Sequence, residues 1–230
     1  MAKTPRARLS PTATTATPRS RRERTRAELL ETAEQLFAEQ GPENVSLRQI
    51  AVAAGYVNPA TIQYHFGSKD ALFKEIIRYR IPAIDARRVE LLDQHGAETV
   101  ESLVEAIARP YLEMSPSSHY SGFVGRVVAS LDSVEDFYDP AIQQPGGERI
   151  QAALDRLLLD EPSDVRAARL NFATLLMAHC ISDRRTRQST GRPVLLDEEQ
   201  FEQELLSSMA SILHPDGIRS SKRSRRQPPR

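Results

Sequence analysis

Residues 57–73 read VNPATIQYHFGSKDALF, and this stretch decides how the N-terminal part of the chain folds. Asn58 is a favourable helix N-cap, and Pro59 suits the first helical position, where no backbone N–H is needed. Gly67 then ends the short helix, and Ser68 caps the next one. A short helix should bury apolar groups, yet this one carries four hydrogen-bonding side chains close together: Thr61, Gln63, Tyr64 and His65.

Two further helices are predicted before it. Between residues 23 and 40, apolar side chains recur at helical spacing, and Gly41 and Pro42 then stop the helix. Ser46 can cap the next helix, with Gln49 three residues later completing a capping box. Three short helices with a tight turn before the third predict a helix-turn-helix, whose last helix can enter a major groove. That setting explains the polar side chains, since they can face nucleic acid while Ile62 and Phe66 hold the inner face.

The rest of the chain is also predicted to be helical, so the fold class is all-α. Apolar periodicity predicts one helix over residues 69–96, kinked at Pro82. The motif QPGGER, which begins at Gln144, predicts a turn before a helix that starts at Glu148. The remaining helices are expected at residues 99–114, 120–131, 148–159, 165–182 and 197–213.

Charge is distributed unevenly along the 230 residues, although the formal net charge is zero. Residues 1–26 carry a net charge of +7 and residues 215–230 one of +5, so residues 27–214 carry −12. Both ends are rich in Ser, Thr, Pro and Arg, and we expect disordered basic tails at 1–21 and 215–230. Such blocks suit a polyanionic partner, although solubilising disorder is the alternative interpretation.

The sequence supports neither a membrane protein nor an enzyme. No run of 18 apolar residues exists, and the lone Cys180 lies in an apolar run typical of a buried thiol, so we expect a cytoplasmic protein. The histidines show no metal-ligand spacing and no glycine-rich phosphate loop occurs. Four acidic residues cluster in a polar loop and are interpreted as solvated: Asp132, Glu135, Asp136 and Asp139. We therefore expect no catalytic residues, no metal and no cofactor.

Residues 24–80 resemble the DNA-binding domain of the tetracycline-repressor (TetR) family of bacterial regulators. The matching segments are AEQLFAEQG, SLRQIAVAAG and, above all, YHFGSKDALF. The resemblance implies a helix-turn-helix DNA-binding domain at 22–80 and a larger helical effector-binding and dimerisation domain at 81–214. It also implies a homodimer, a double-stranded DNA operator and a small-molecule effector. Ten positions separate Gly55 from His65, one more than the commonest family pattern, so a longer turn is expected.

Residues of the helix-turn-helix are assigned to different kinds of DNA contact. Gln63 is the expected base reader, since a Gln amide can pair bidentately with adenine. Tyr64, His65 and Lys69 are expected to contact phosphates; the alternatives are packing for the aromatic pair and an ordinary solvated lysine. Ser46 is expected to cap its helix and to touch the DNA backbone. The other members of the expected interface are Arg48, Asn58, Pro59, Ala60 and Thr61.

Ligand-binding candidates in the larger domain are His119, Tyr120, Phe123, Arg126, Met177 and His179. Core packing is the alternative for each of them, because Met and aromatic residues at helical spacing mostly pack. Arg126 lies on an otherwise apolar helix, so it could orient an anionic ligand; a salt bridge to a carboxylate is the alternative. Residues 165–182 and 197–213 are expected to form the homodimer interface. The competing functional hypothesis is a constitutive or architectural DNA-binding protein without an effector.

Overall fold

The computed structural model describes residues 18–58, 60–130 and 144–214, with side chains described at residues 22–58, 60–128 and 144–214. Within these ranges every regular element is helical, which confirms the all-α prediction. The helices are α1 (Pro18–Gln40), α2 (Leu47–Ala53), α3 (Ala60–Phe66), α4 (Lys69–His95), α5 (Val100–Leu112), α6 (Tyr120–Ser130), α7 (Pro145–Leu157), α8 (Ser163–Ser189) and α9 (Glu198–Leu213). A single 3-10 turn at Pro42–Asn44 follows α1.

Helix α1 begins at Pro18, five residues earlier than predicted. Residues 18–21 were expected in the basic tail and are instead part of the helix. The physical reason is that Pro suits the first helical position and Arg is a good helix former, so the Arg-rich segment extends the helix N-terminally. The rest of this tail, the acidic cluster at 132–139 and the tail at 215–230 lie outside the described residues.

Helix α4 runs through Pro82 without interruption and ends where Gly96 takes a φ of 76°. This confirms the prediction of one long helix over residues 69–96. Its first turns pack with the N-terminal helices, and its later turns pack with α5 and α7. Helix α4 therefore belongs to both parts of the molecule.

An aromatic cluster joins the N-terminal helices to the rest of the fold. Phe37 of α1, Phe73 of α4 and Phe123 of α6 have ring centroids 5.0 to 6.3 Å apart. Tyr120 extends the cluster to α5, since its ring stacks on Phe123 at 5.7 Å and on Tyr111 of α5 at 6.0 Å. Because these rings are buried against one another, α1, α4 and α6 share one continuous apolar core.

Helix α7 begins at Pro145 rather than at Glu148, so the predicted turn at QPGGER is wrong. The carboxylate of Asp85 on α4 accepts the backbone N–H groups of Gly146 and Gly147 at 3.0 and 2.9 Å. Those donors have no partner inside a helix, and a carboxylate at a helix N-terminus is favourable. A contact 61 residues away in sequence therefore extends the helix through its glycines.

Candidate nucleic-acid interface

The capping box that begins α2 is present as predicted. The backbone N–H of Gln49 donates to the Ser46 hydroxyl at 3.2 Å, and the backbone N–H of Ser46 donates to the Gln49 side chain at 2.8 Å. The Ser46 hydroxyl also lies 2.7 Å from that side-chain oxygen. Ser46 and Arg48 are both exposed at the start of α2. This box fixes where α2 starts and so orients the helix against α1.

The turn between α2 and α3 follows Gly55, whose φ of 81° suits a residue without a Cβ. Asn58 acts as the predicted cap, because its side-chain oxygen accepts the N–H of Ala60 at 2.9 Å. Pro59 lies outside the described residues. Val57, predicted only as part of the turn, is 97% exposed beside the start of α3. An apolar side chain presented to solvent here is suited to a thymine methyl group.

Helix α3 separates its apolar and polar side chains as expected. Ile62 is fully buried and Phe66 is nearly so, and both pack into the core formed with α1, α2 and α4. Gln63 and Tyr64 are exposed, whereas Thr61 and His65 are partly buried. The helix is thus held by its inner face, and its hydrogen-bonding groups are left available on the outer one.

Two arginines of α1 lie over aromatic rings of α3, one on its outer face and one at its inner face, and the sequence alone did not predict these contacts. The guanidinium of Arg22 lies 5.6 Å from the ring centroid of Tyr64, and Arg26 lies 4.7 Å from that of Phe66. Arg26 is also paired with Glu75 of α4. The helical spacing of Arg22 and Arg26, four residues apart, could have indicated a shared face of α1, but not that α3 lies against it.

His65 sits between the aromatic and basic groups. Its ring contacts that of Tyr64 edge-on, with centroids 5.3 Å apart and an angle of 84°. Partial burial lowers the pKa of His65 below its ordinary value, and the positive charges of Arg22 and Arg26 lower it further. The neutral imidazole is therefore favoured in the free protein.

Lys69 is positioned differently from the expectation of a lysine free for DNA. Its ammonium donates a hydrogen bond to the carbonyl oxygen of Pro42 at 2.8 Å. It therefore connects the start of α4 to the 3-10 turn after α1. An ammonium has three N–H donors, so this bond leaves two for a phosphate. The residue has a structural contact that spacing within α4 did not reveal.

The six ligand candidates differ in burial and in their contacts with other described residues. Tyr120, Phe123 and Met177 are buried in the core, which matches the packing alternative. His119 lies near the carboxylate of Glu34. Arg126 is exposed and donates to the carbonyl oxygens of Ala38 and Glu39 at 3.4 and 3.5 Å, near the C-terminus of α1.

Arg126 and His179 both line a surface groove of about 500 Å³ between α1, α6 and α8. Gly122 and Gly125 let α6 approach α8 closely along this groove. In the described part of the chain, no group of three His, Cys, Asp or Glu side chains could hold a metal ion. Across the same residues, none of the helices has the length and apolar character needed to cross a membrane.

Three N-terminal helices with an exposed polar third helix, joined to a larger helical body, define a helix-turn-helix protein. Residues 29–76 match the family model described as "Bacterial regulatory proteins, tetR family". This match confirms the resemblance to TetR-family regulators that the motifs of the N-terminal helices indicated.

Two curated relatives are similar over 123 residues at 31% identity: the HTH-type transcriptional repressor Rv3405c of Mycobacterium tuberculosis and the HTH-type transcriptional regulator Mb3439c of Mycobacterium bovis. The alignment covers 51% of this chain but only 63% of each relative, less than two thirds of their length. These relatives and the family are regulators, not enzymes.

The TetR family transcriptional regulator PfmR of Thermus thermophilus has a similar solved structure. The match has a TM-score of 0.50 at 22% identity and covers 87% of this chain and 97% of PfmR. At that identity the likeness establishes the fold, including the body that follows the helix-turn-helix.

Proposed function

We propose that this protein is a DNA-binding transcriptional regulator that binds a palindromic operator as a homodimer and represses until a small molecule releases it. The proposal rests on the division of α3 into a buried apolar face and an exposed polar face. Its apolar residues Ile62 and Phe66 are buried, while Gln63 and Tyr64 are presented outward. A regulator of this kind would act in the bacterial cytoplasm, where the DNA lies.

Within this proposal the residues of the helix-turn-helix divide by type of contact. Gln63 reads a base, because it is exposed on α3 and its amide can pair with adenine. Phosphates are bound by side chains at the edges of α2, α3 and α4, which carry no sequence information themselves. These are Ser46, Arg48, Thr61, Tyr64, His65 and Lys69. Asn58, Pro59 and Ala60 set the register in which α3 begins.

Homodimerisation is proposed through α8 and α9. Phe172 on α8 is 59% exposed, and Leu175 and Leu176 are only partly covered within one chain. On α9, Ser207 and Ser208 are exposed and small, which permits close helix approach. A second copy covering α8 and α9 by two-fold symmetry would form a four-helix interface. The two helix-turn-helix domains of the dimer, each called a head and formed by residues 22–80, would then face the two half-sites of a near-palindrome.

Release by an effector would use the body formed by α4, α5 and α6. A small, largely apolar molecule bound there must prefer one spacing of the two heads in order to change DNA affinity. Helix α4 is the natural carrier of such a change, because one continuous helix reaches from the head to α7. The alternative, constitutive binding without an effector, is supported less well, because the −12 charge of residues 27–214 would repel DNA away from the head.

The proposal is tested by selecting DNA fragments from a random pool with the purified protein and sequencing them. A near-palindromic consensus is the expected result. Gln63→Ala should then weaken binding to that consensus by about 1–3 kcal/mol and relax selectivity at one base pair in each half-site. Gln94→Ala, an exposed glutamine in the last turns of α4, is the matched control and should change neither. Enrichment of no sequence would contradict the proposal and favour architectural binding.

A further inference from the structure

We propose that Arg22 of α1 joins Tyr64 and His65 of α3 in one phosphate-binding unit, and that His65 takes up a proton when a DNA phosphate occupies it. This inference rests on the proposed function and adds to it a residue outside the helix-turn-helix and a chemical signature of binding.

The position of Arg22 supports its membership of the phosphate-binding unit. Its guanidinium lies over the ring of Tyr64, a side chain that is 73% exposed and would otherwise be free to rotate. A cation over an aromatic face is attracted to it, so Arg22 restricts the ring and with it the position of the phenolic hydroxyl. The stacked guanidinium keeps planar N–H donors that match phosphate oxygens. Arg22 is therefore both a positioning residue for Tyr64 and a donor in its own right.

The position of His65 supports the proposal that its ring takes up a proton when a phosphate binds. Its ring contacts Tyr64 edge-on at 5.3 Å, so a phosphate bound by the Tyr64 hydroxyl would also be close to the imidazole. In the described part of the chain, the charged groups acting on His65 are Arg22 and Arg26 of α1. From α4, Glu75 is engaged with Arg26 rather than with His65. The imidazole is thus partly buried and repelled by two nearby guanidinium groups in the free protein.

A DNA phosphate reverses this balance. Its negative charge offsets the repulsion from Arg22 and Arg26 and favours the imidazolium form. One proton from solvent then binds the ring nitrogen that was an acceptor in the neutral form, and this nitrogen becomes a second N–H donor. His65 consequently holds more protons in the complex than in the free protein. By linkage, DNA affinity must rise as the pH falls through the interval between the free and bound pKa values of His65.

The first experiment measures DNA affinity from pH 6 to pH 8 by fluorescence anisotropy, using a labelled random-sequence duplex of about 30 base pairs, long enough for two half-sites one helical turn apart. Affinity should rise as the pH falls, by at most about tenfold per pH unit for each head. Calorimetry in two buffers of different ionisation enthalpy should report net proton uptake. His65→Asn should remove both effects, which separates His65 from the other histidines.

The second experiment compares Arg22→Ala with Arg24→Ala in the full-length protein. Arg24 lies on the same helix two positions away, is 69% exposed and pairs weakly with Glu28 at 3.7 Å, so its substitution removes the same charge from a different face. Arg22→Ala should weaken binding and, in NMR titration of the free protein, raise the pKa of His65. Arg24→Ala should do neither. Arg22→Lys, which keeps the charge but loses the planar stack, should restore only part of the affinity.

The outcomes separate the two proposals. If the unmodified protein binds no duplex at any pH, the proposed function fails. If it binds DNA without proton uptake, or if Arg22→Ala behaves like Arg24→Ala in affinity and in the titration of His65, the phosphate-binding unit is overturned while the proposed function stands.

Discussion

Arg80 donates two hydrogen bonds to the carboxylate of Glu34, from Nε at 2.7 Å and from Nη2 at 3.1 Å. The Glu34 side chain is only 3% exposed, while that of Arg80 is 24% exposed. This bidentate pair joins α1 of the DNA-binding head to α4 two residues before Pro82. His119, just before α6, lies close enough to act electrostatically on the same carboxylate. The pair therefore lies where head and body meet, beside the Phe37–Phe73–Phe123 cluster.

Glu34→Gln should destabilise the protein, because it removes the charge that compensates a partly buried guanidinium. Breaking a buried pair costs about 3–5 kcal/mol, and the partial exposure of Arg80 places the expected loss at the low end, about 3 kcal/mol. Urea unfolding followed by circular dichroism measures it. Glu39→Gln, an exposed carboxylate on the same helix, is the control and should fall within about 0.5 kcal/mol of the unmodified protein. Equal losses for both variants would contradict the assignment.

Gly146→Ala and Gly147→Ala should have opposite effects on stability. A Cβ at Gly146 would lie 2.9 Å from Cβ of Arg88 and 3.0 Å from the backbone oxygen of Asp85, so α7 must shift. We expect a loss of about 1–3 kcal/mol. At Gly147 the nearest atom would be 3.9 Å away, and the gain in helix propensity should stabilise by up to about 1 kcal/mol. Thermal unfolding of both variants tests the pair; the same sign for both would disprove the close approach.

Lys69→Ala should affect both folding and DNA binding. Losing the hydrogen bond to the Pro42 carbonyl should cost about 1 kcal/mol of stability. If Lys69 also binds a phosphate, the variant should weaken binding to all sequences alike and reduce the salt dependence by about one charge per head. Lys74→Ala, an exposed lysine on the same helix, is the control. A lower melting temperature with an unchanged salt slope would show that Lys69 is structural only.

Phe172→Glu should prevent dimerisation without unfolding the chain. The side chain is 59% exposed within one chain, so a carboxylate there remains hydrated in the monomer but would be buried in the proposed α8–α9 interface. Sedimentation at micromolar concentration should show a monomer, and tight operator binding should be lost with it. Val52→Glu introduces the same charge at a 62% exposed apolar residue of the head and should remain dimeric. Leu176→Glu should act like Phe172→Glu. A dimeric Phe172→Glu variant would move the interface elsewhere.

Local signals in the sequence determined most helix boundaries correctly. Ser46 and Ser68 cap the helices that the sequence predicts them to cap, and the helices predicted to start at Thr99 and Asp197 start there, with those two residues as their N-caps. Caps can be predicted because donor and acceptor are three residues apart, so no knowledge of the tertiary fold is needed. The division of α3 into a buried and an exposed face was predictable for the same reason, since helical periodicity alone specifies it.

Contacts between distant residues could be decided only by the tertiary structure. The carboxylate of Asp85 accepts the N–H of Gly146 in the first turn of α7, 61 residues later in the chain. Lys69 donates to the carbonyl oxygen of Pro42, 27 residues earlier. Arg22 lies over the ring of Tyr64, 42 residues later in the chain, and no local pattern in the sequence indicates this contact. A side chain's own periodicity says which face of its helix it occupies, but not which other helix covers that face. That pairing is set by how the apolar stripes of all the helices are buried together, and so it arises only when the whole core forms.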